Sequence, residues 1–256
     1  MSQNSFESED SDPGGDAKAK ERALTRRAFL YMGIAGSIGI AAARTMNSMP
    51  RSNGLRKPLR AGLDLNAKWW RSVRSPTSSI PVYPPSAVQS PIARSAIGLA
   101  KSSDHGQWRL QVSGVEGDKK FELTLDDIKK FPRVELIAEL FCVEGWSFKA
   151  QWTGTPMSEF ALMFPPMTGA EHVALQTPGA DYFVGLEMAS ALHHQTLLCY
   201  EMNGKPLTIK HGAPLRMIVP TKYGLKSMKN VAHLTYSREQ PRDSWFERGY
   251  DYDCGL

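Results

Sequence analysis

From residue 108 onward, the sequence is a succession of short apolar runs that end at glycine, proline or asparagine. Runs of about four to eight residues between such breakers are typical of strands, since a helix needs a longer amphipathic stretch. Val134–Leu140 is one such run, and Leu197–Met202 and Leu207–Ile209 flank an Asn203-Gly204 turn as a hairpin. Many short strands with a few short helices predict an α+β domain with mixed β-sheets.

The same pattern places the remaining elements of the domain. Further strands are predicted at Trp108–Val112, Lys119–Leu123, Glu171–Thr177, Leu215–Val219 and Asn230–Arg238. Helices are predicted after a Thr124/Asp127 capping box up to Pro132, from a Thr155 cap with Pro156 in the first turn to Pro165-Pro166, and over Leu186–His193.

The first 43 residues have the layout of a twin-arginine export signal. Residues 1–22 are polar and acidic, which predicts disorder. Arg26-Arg27 is then followed by an uncharged, glycine- and alanine-rich stretch up to Ala43. Cleavage after Ala43 and a retained membrane anchor over residues 28–43 both fit this stretch, although it is shorter than a span of ~20 residues. We expect export in the folded state through the twin-arginine machinery, to the periplasm or another extracytoplasmic compartment.

Positive charge is concentrated between the signal and the domain. Residues 44–80 carry eight Lys/Arg and one Asp/Glu, whereas residues 81–256 carry 18 and 19. A nucleic-acid-binding domain needs its positive charge on the fold itself, so no nucleic-acid partner is expected. Residues 44–95 are interpreted as a basic and proline-rich linker, either solvated or lying against anionic headgroups, and residues 96–256 as the folded domain.

The three cysteines have different surroundings. They form no C-x-x-C pair and no zinc-type ligand set with histidine, so a disulfide framework is not expected. Cys199 lies within an apolar run, which is typical of a buried thiol. Cys142 instead follows the predicted strand directly and precedes a Glu-Gly-Trp turn. A soft thiolate presented there suits a metal or a cofactor.

Two downstream segments carry groups that bind phosphate. His211-Gly-Ala-Pro-Leu-Arg216 places an imidazole and a guanidinium around a turn, and the loop Tyr223–Lys229 holds a glycine and two lysines, with Lys222 just before it. Guanidinium forks and loop amides are typical phosphate ligands. Together with a sulfur ligand, they indicate a metal that is carried by a phosphorylated organic cofactor.

Four ordered motifs between roughly residues 106 and 245 resemble the sulfite oxidase/molybdopterin-binding superfamily, within it most closely the methionine-sulfoxide reductase (MsrP-like) branch. They are Phe-Cys-Val-Glu-Gly-Trp-Ser at 141–147, Trp-x-Gly at 152–154, His-Gly-Ala-Pro-Leu-Arg at 211–216, and Pro-x-Lys-Tyr-Gly-x-Lys-Ser-x-Lys at 220–229. The resemblance implies a sulfite-oxidase-type molybdopterin-binding fold over residues 96–256, with a molybdenum-molybdopterin cofactor.

The resemblance also implies roles for single residues. Cys142 would bind molybdenum beside the two dithiolene sulfurs of the pterin. Glu144 matches an acidic residue near the metal and is the candidate catalytic residue. The implied cofactor contacts are Thr177, His211, Arg216, Ser227, Met228 and Lys229.

The implied function is two-electron transfer, with an oxygen atom, at a Cys-ligated molybdenum, with sulfoxides such as protein methionine sulfoxide as substrates. Electrons would pass to or from a membrane haem b subunit or a soluble cytochrome.

The chain departs from the reductase branch at Thr221, where a tryptophan is usual, and at Pro91–Ser95, where Arg94 stands in place of an Asn/Tyr segment. A sulfite-type or other dehydrogenase, and a metal-free binding or assembly protein of the same fold, are the alternatives.

Overall fold

The computed structural model describes residues 37–73, 78–100 and 106–256. Arg26-Arg27 and most of the stretch 28–43 therefore lie outside the described residues, and the export signal stays a prediction. The chain divides into two compact units, Met1–Pro50 and Arg51–Leu256. In the first unit, residues 37–48 are helical. Among the described residues, no helix has the length and apolar character needed to cross a membrane.

The described part of the second unit contains twelve strands and four α-helices. The strands are β1 (Arg51–Ser52), β2 (Leu55–Arg56), β3 (Leu110–Ser113), β4 (Phe121–Leu123), β5 (Val134–Phe141), β6 (Ser147–Pro156), β7 (His172–Gln176), β8 (Phe183–Glu187), β9 (Leu197–Met202), β10 (Lys205–Pro206), β11 (Arg216–Ile218) and β12 (His233–Ser237). The helices are α1 (Lys57–Val73), α2 (Leu125–Ile128), α3 (Met157–Met163) and α4 (Met188–Ala191).

Two five-stranded sheets form the body of the domain. One has the order β4-β3-β12-β7-β8, in which β12 pairs parallel with β3 and the other pairs are antiparallel. The other has the order β10-β9-β6-β5, with β11 added to β9. The predicted α+β class with mixed sheets and short helices is confirmed.

The hydrophobic core lies on both faces of the second sheet. Leu198 and Tyr200 of β9 pack in one buried cluster with Leu175 and Leu234 of the first sheet. Leu197 and Cys199 point to the opposite face, into a cluster around Trp152, which is fully buried. Alternate residues of one strand thus pack on opposite sides, as the period of two in a strand requires, and this explains why Leu197–Tyr200 is an unbroken apolar run.

Most predicted elements form close to their predicted bounds, with three exceptions. The strand predicted over Leu207–Ile209 does not form, because Lys205–Pro206 pairs with β9 instead and Ile209–His211 is a 3₁₀-helix. The capping box at Thr124 and Asp127 is present in full. Thr155, however, does not cap α3: its hydroxyl donates to the carbonyl of Ile128, and the strand continues through Pro156. The helix predicted over Leu186–His193 is shorter, because Phe183–Glu187 pairs as strand β8 before α4 begins.

Much of the stretch interpreted as a linker packs with the domain. Residues 51–95 fall in the same compact unit as the sheets, and they include the 17-residue helix α1. The proline-rich part is extended except for a 3₁₀-helix over Pro85–Ala87. It hydrogen-bonds along the second sheet, with the Tyr83 amide donating to the Ile137 carbonyl at 3.0 Å and the Gln89 amide to the Lys149 carbonyl at 2.9 Å. This segment therefore packs along strands β5 and β6 of the second sheet.

Gly154 is required by the close approach of β6 and β9. A Cβ atom at this position would lie 2.2 Å from the Leu198 carbonyl oxygen and 2.7 Å from the Cys199 Cα. We predict that Gly154→Ala lowers the free energy of unfolding by about 1–3 kcal/mol, because backbone must shift to make room. Chemical denaturation measures this change.

Gly62→Ala is the matched control for this substitution. Gly62 lies inside α1, and apart from the backbone of the helix itself no atom of the described residues lies within 4 Å of the place that its Cβ atom would take. We expect this variant to be unchanged or more stable by up to about 1 kcal/mol, because alanine favours a helix. Equal losses in both variants would contradict the role given to Gly154.

Candidate functional site

Cys142 is presented by the short connection between β5 and β6. Its amide donates to the Trp146 carbonyl at 2.8 Å, and its carbonyl accepts from the Gly145 amide at 3.1 Å. Gly145 has a φ of +85°, a conformation that favours glycine. Partial burial raises the pKa of the Cys142 thiol, and the Glu144 carboxylate adds to this effect. Binding a metal through the thiolate would therefore release a proton.

Glu144 and Trp146 are held together on the same turn. The Trp146 indole N–H donates to Glu144 Oε2 at 2.8 Å, and the Trp146 ring stacks on Phe148 at a centroid distance of 6.3 Å. The guanidinium of Arg94 lies 5.8 Å from the Trp146 ring centroid. This turn therefore presents a thiol and an oriented carboxylate within a few residues of each other, with a cation beside them.

Arg216, at the start of β11, is the central cation of the site. Its side chain is 3% exposed, with Nη1 donating to the His211 carbonyl and Nη2 to the Ser227 carbonyl, both at 3.0 Å. Its Nε is buried without a hydrogen-bond partner among the described residues. The guanidinium lies 5.0 Å from the Trp152 ring centroid, and no ion pair of the described residues includes it. Burial lowers the pKa of Arg216 to about 10. A buried cation left in this state favours an anionic ligand.

Lys229 and His211 add to this positive field. Burial, together with the nearby Arg216, lowers the pKa of Lys229 to about 8. Burial and the charges of Arg216 and Lys229 also lower the pKa of His211. Lys229 donates to the Ser95 carbonyl at 2.8 Å. A phosphate bound between these groups would relieve their mutual repulsion.

Glycines bring the cationic segments into contact. A Cβ atom on Gly212, whose φ is +99°, would lie 2.8 Å from the Lys229 Cβ. A Cβ atom on Gly224 would lie 2.8 Å from Leu140 Cδ2, at the end of the strand that carries Cys142. Substitution of either glycine would thus separate parts of the site.

The other two lysines of the phosphate-binding prediction do not belong to this site. Lys226 is fully buried, and its Nζ donates to Asp243 Oδ2 at 2.8 Å. Lys222 is buried too, and its ammonium pairs with Glu187 at 2.8 Å and with Asp253. These lysines are neither solvated nor free to bind a phosphate; they tie the loop to the C-terminal segment.

The predicted site residues gather around one cavity of about 410 Å³. Its lining includes Cys142, Glu144, His211, Arg216, Ser227, Met228 and Lys229, together with Arg94. Ser227 also accepts a hydrogen bond from the Val219 amide through its hydroxyl oxygen at 3.0 Å, which fixes this loop on β11.

Thr177 is the one predicted residue that lines a different cavity. It is 3% exposed, donates to Asp181 Oδ1 at 2.7 Å, and faces a neighbouring cavity of about 840 Å³. Tyr182, Ala96 and Ile97 line both cavities. We call the cavity that is lined by Cys142 the thiol cavity. Thr177 is adjacent to the thiol cavity, and the three shared residues separate it from that cavity.

Three aromatic residues of the thiol cavity were not found from the sequence. Tyr182, Trp245 and Tyr250 all line it, and the Trp245 indole donates to the Tyr182 hydroxyl at 2.6 Å. They come from two segments that are more than 60 residues apart. No local pattern distinguishes them from ordinary core aromatics.

The side chains present fit a phosphorylated, metal-carrying cofactor. The unpartnered Arg216 Nε and the half-buried Lys229 would hold the phosphate, and Cys142 offers one soft ligand in the lining of the same cavity. No group of three or more His, Cys, Asp or Glu among the described residues could hold a metal ion. A metal bound at Cys142 would therefore need ligands supplied by the cofactor itself.

Comparison with known proteins supports this interpretation. The oxidoreductase molybdopterin binding domain matches residues 97–245. A protein of Azospira oryzae, provisionally named protein-methionine-sulfoxide reductase subunit YedZ1, is 32% identical over 183 residues, which are 70% of this chain and 69% of that protein.

Two further relatives are named protein-methionine-sulfoxide reductase catalytic subunit MsrP. The one from Campylobacter jejuni is 35% identical and covers 59% of this chain and 56% of the relative; the one from Xanthomonas campestris is 37% identical, with 58% and 50%. The chain thus spans about half the length of these two relatives. The sulfane dehydrogenase SoxCD of Paracoccus pantotrophus has a similar fold, with a TM-score of 0.50 at 19% identity over 54% of this chain and 40% of that one.

The lowered pKa of Lys229 gives a prediction for anion binding. We expect inorganic phosphate to raise the thermal midpoint of the cofactor-free protein at pH 7 by about 2–4 °C, which corresponds to about 1 kcal/mol. Lys229 carries its charge below pH 8 and loses it above, so the gain should shrink as the pH rises through about 8. Thermal unfolding between pH 6.5 and 9 measures this dependence.

Lys229→Met and Lys205→Met form the matched pair for this measurement. Lys205 is exposed on β10, away from the cavity, so its variant should keep the full phosphate effect. Lys229→Met should lose most of it. The same pH-dependent stabilisation in both variants would rule out Lys229 as an anion ligand.

Proposed function

Because this chain belongs to the family of oxidoreductase molybdopterin binding domains, we propose that it is a molybdenum enzyme that reduces sulfoxides. The observation that carries this proposal is the shared cavity. The Cys142 thiol lies in one lining with the buried Arg216, which has no carboxylate partner in the described part of the chain. The sulfur would bind the metal, and the guanidinium would bind the phosphate of the same cofactor.

The residues that line the cavity have separate roles in this proposal. Cys142 would be the protein's ligand to molybdenum, and Arg216, His211, Ser227, Met228 and Lys229 would hold the cofactor, with Thr177 as a further contact in the neighbouring cavity. When bound, the cofactor supplies a metal that cycles between two oxidation states and exchanges two electrons and an oxygen atom. The chain binds it, orients it and limits the access of water.

Glu144 is proposed as the proton donor of the reaction. Reduction of a sulfoxide to a thioether consumes two electrons and two protons and releases water. The Trp146 indole donates to Glu144 Oε2, which fixes the orientation of this carboxyl group in the lining of the cavity. Glu144 is two residues from the proposed metal ligand, so its carboxyl group would be close enough to donate a proton to a substrate bound there.

The substrate class is proposed from the relatives and from the turn after Cys142. The related proteins carry names that assign them to protein-methionine-sulfoxide reductases. The turn has Val-Glu-Gly-Trp where sulfite oxidases of the familiar type have an arginine-containing stretch that gathers an anion. Protein-bound methionine sulfoxide is therefore the favoured substrate.

The partners and the compartment are proposed from the sequence. The Arg26-Arg27 signal supports export through the twin-arginine machinery to the periplasm, with residues 28–43 cleaved or retained as an anchor. The chain contains no C-x-x-C-H motif for covalent haem. A separate carrier, either a membrane haem b subunit or a soluble cytochrome, would supply the electrons.

Replacement of Cys142 tests the proposed metal ligand. We predict that Cys142→Ser lowers sulfoxide reduction by at least about a hundredfold, because a hydroxyl is a poor ligand for this metal. The fold should be retained, since the side chain is only partly buried. A reduced-dye assay with methionine sulfoxide, together with circular dichroism, measures both quantities.

Cys254→Ser serves as the control. Cys254 is buried, its thiol donates to the Asp251 carbonyl at 2.7 Å, and its pKa is raised to about 12 by burial. Serine can keep that hydrogen bond, so we expect near-normal activity. Wild-type activity in Cys142→Ser would remove the ligand assignment.

Replacement of Glu144 tests the proton donor. Glu144→Gln keeps an oxygen that accepts from the Trp146 indole but removes the transferable proton. We predict that kcat falls by about a hundredfold, with KM little changed, because the group that supplies the proton is lost. The exposed Glu171→Gln variant is the control. An unaltered kcat in Glu144→Gln would show that the proton comes from elsewhere.

A further inference from the structure

One face of α1 exposes an unusual number of large apolar side chains. Five residues of this helix are 41–67% exposed: Leu59 (47%), Leu65 (67%), Trp69 (60%), Trp70 (41%) and Val73 (58%). Side chains three or four residues apart lie on the same side of a helix. Leu65, Trp69 and Val73 therefore form one stripe, with Leu59 and Trp70 beside it. We call these five residues the apolar face of α1.

The opposite side of the helix is fixed to the domain. Arg60 is 4% exposed and donates to the carbonyls of Asn53, Phe246 and Tyr250 at 2.6, 3.1 and 3.0 Å. Its guanidinium also lies 4.2 Å from the Phe246 ring centroid. Ala67, on the same side, is 6% exposed. The helix is thus held by one side, and the apolar face points to solvent.

The charges around the apolar face are positive. Lys57 and Lys68 are exposed beside it, and residues 44–80 carry eight basic residues against one acidic residue, Asp64. That carboxylate is half exposed and lies 4.0 Å from Arg60, so one negative charge stands among these basic residues. A surface that is apolar in the middle and basic at its border matches an anionic lipid bilayer, in which acyl chains lie below negative headgroups.

We propose that α1 is an interfacial helix that lies on an anionic membrane through its apolar face. The Trp69-Trp70 pair supports lipid as the occupant, because tryptophan is enriched at the headgroup level, where its ring is buried and its N–H stays hydrated. The two rings lie 5.9 Å apart on the exposed side. The helix is parallel to the membrane in this arrangement and does not span it.

This placement has a consequence for the thiol cavity. The carbonyls that accept from Arg60 include those of Phe246 and Tyr250, and Trp245 and Tyr250 line the cavity that contains Cys142. A helix bound to the membrane would therefore hold the cavity at a constant distance from the bilayer, where a membrane-bound electron carrier would be found. The membrane contact itself does not depend on the cofactor or on the reaction.

Vesicle flotation with the full-length protein tests this proposal. We expect binding to vesicles of phosphatidylglycerol and phosphatidylcholine, and weak binding to phosphatidylcholine alone. Trp69→Ala/Trp70→Ala should reduce the partition coefficient on anionic vesicles by roughly tenfold or more, because the buried apolar area is lost. Lys57→Glu/Lys68→Glu should reduce it at low salt, with a smaller difference at about 0.5 M NaCl.

The control is Leu162→Ala/Met163→Ala, which removes two apolar side chains that are 74% and 64% exposed on α3. This variant should bind as the wild type does. Because all substituted side chains are exposed, circular dichroism should be unchanged. Equal binding by the wild type and by Trp69→Ala/Trp70→Ala would assign the membrane contact to the N-terminal segment and overturn the proposal. A wild type that does not float with anionic vesicles would overturn it as well and leave a protein groove as the partner of this face.

Discussion

The buried guanidinium of Arg216 is the interaction on which the site depends. It ties the His211 turn to the Ser227 loop through two backbone carbonyls, and among the described residues no carboxylate balances its charge. In other buried cations of the same domain, such as Lys226, a carboxylate is in place at 2.8 Å. A fold that leaves one buried cation without a carboxylate partner beside a half-buried lysine is organised for an anion from outside. The phosphate of the cofactor is the ligand that this arrangement favours.

The positions of the other site residues follow from how tightly the backbone packs around this cation. Gly212 allows Lys229 to approach, and Gly224 brings the loop against the end of β5, where Cys142 is presented. The site is closed on another side by the aromatic residues of segment 245–250, to which Arg60 of α1 is hydrogen-bonded. The cofactor site and the proposed membrane face are thus connected through one short segment of chain.

The sequence predicted those parts of the site that local motifs encode. Cys142 at the end of an apolar strand and Arg216 beside a Gly-Ala-Pro turn both lie on the predicted elements, and the structure brings them into one cavity. The pairing of Lys226 with Asp243 could not be predicted, because the sequence does not say which of many carboxylates a lysine meets after folding. The helix α1 was missed for another reason: its apolar spacing of four residues was present, but the strong positive charge favoured a linker. Threonine is a common residue at a helix start, which is why Thr155 was predicted as a cap. In the structure, strand β6 continues through Pro156, so Thr155 belongs to the strand.

The most direct test of this account is the ligand set of the metal. X-ray absorption at the molybdenum edge of the purified protein measures the number of sulfur neighbours. We predict three sulfurs in the wild type, of which two would come from the pterin and one from Cys142, and two in Cys142→Ser. The same sulfur count in both proteins, or a wild type purified without molybdenum after cofactor-replete expression, would contradict it.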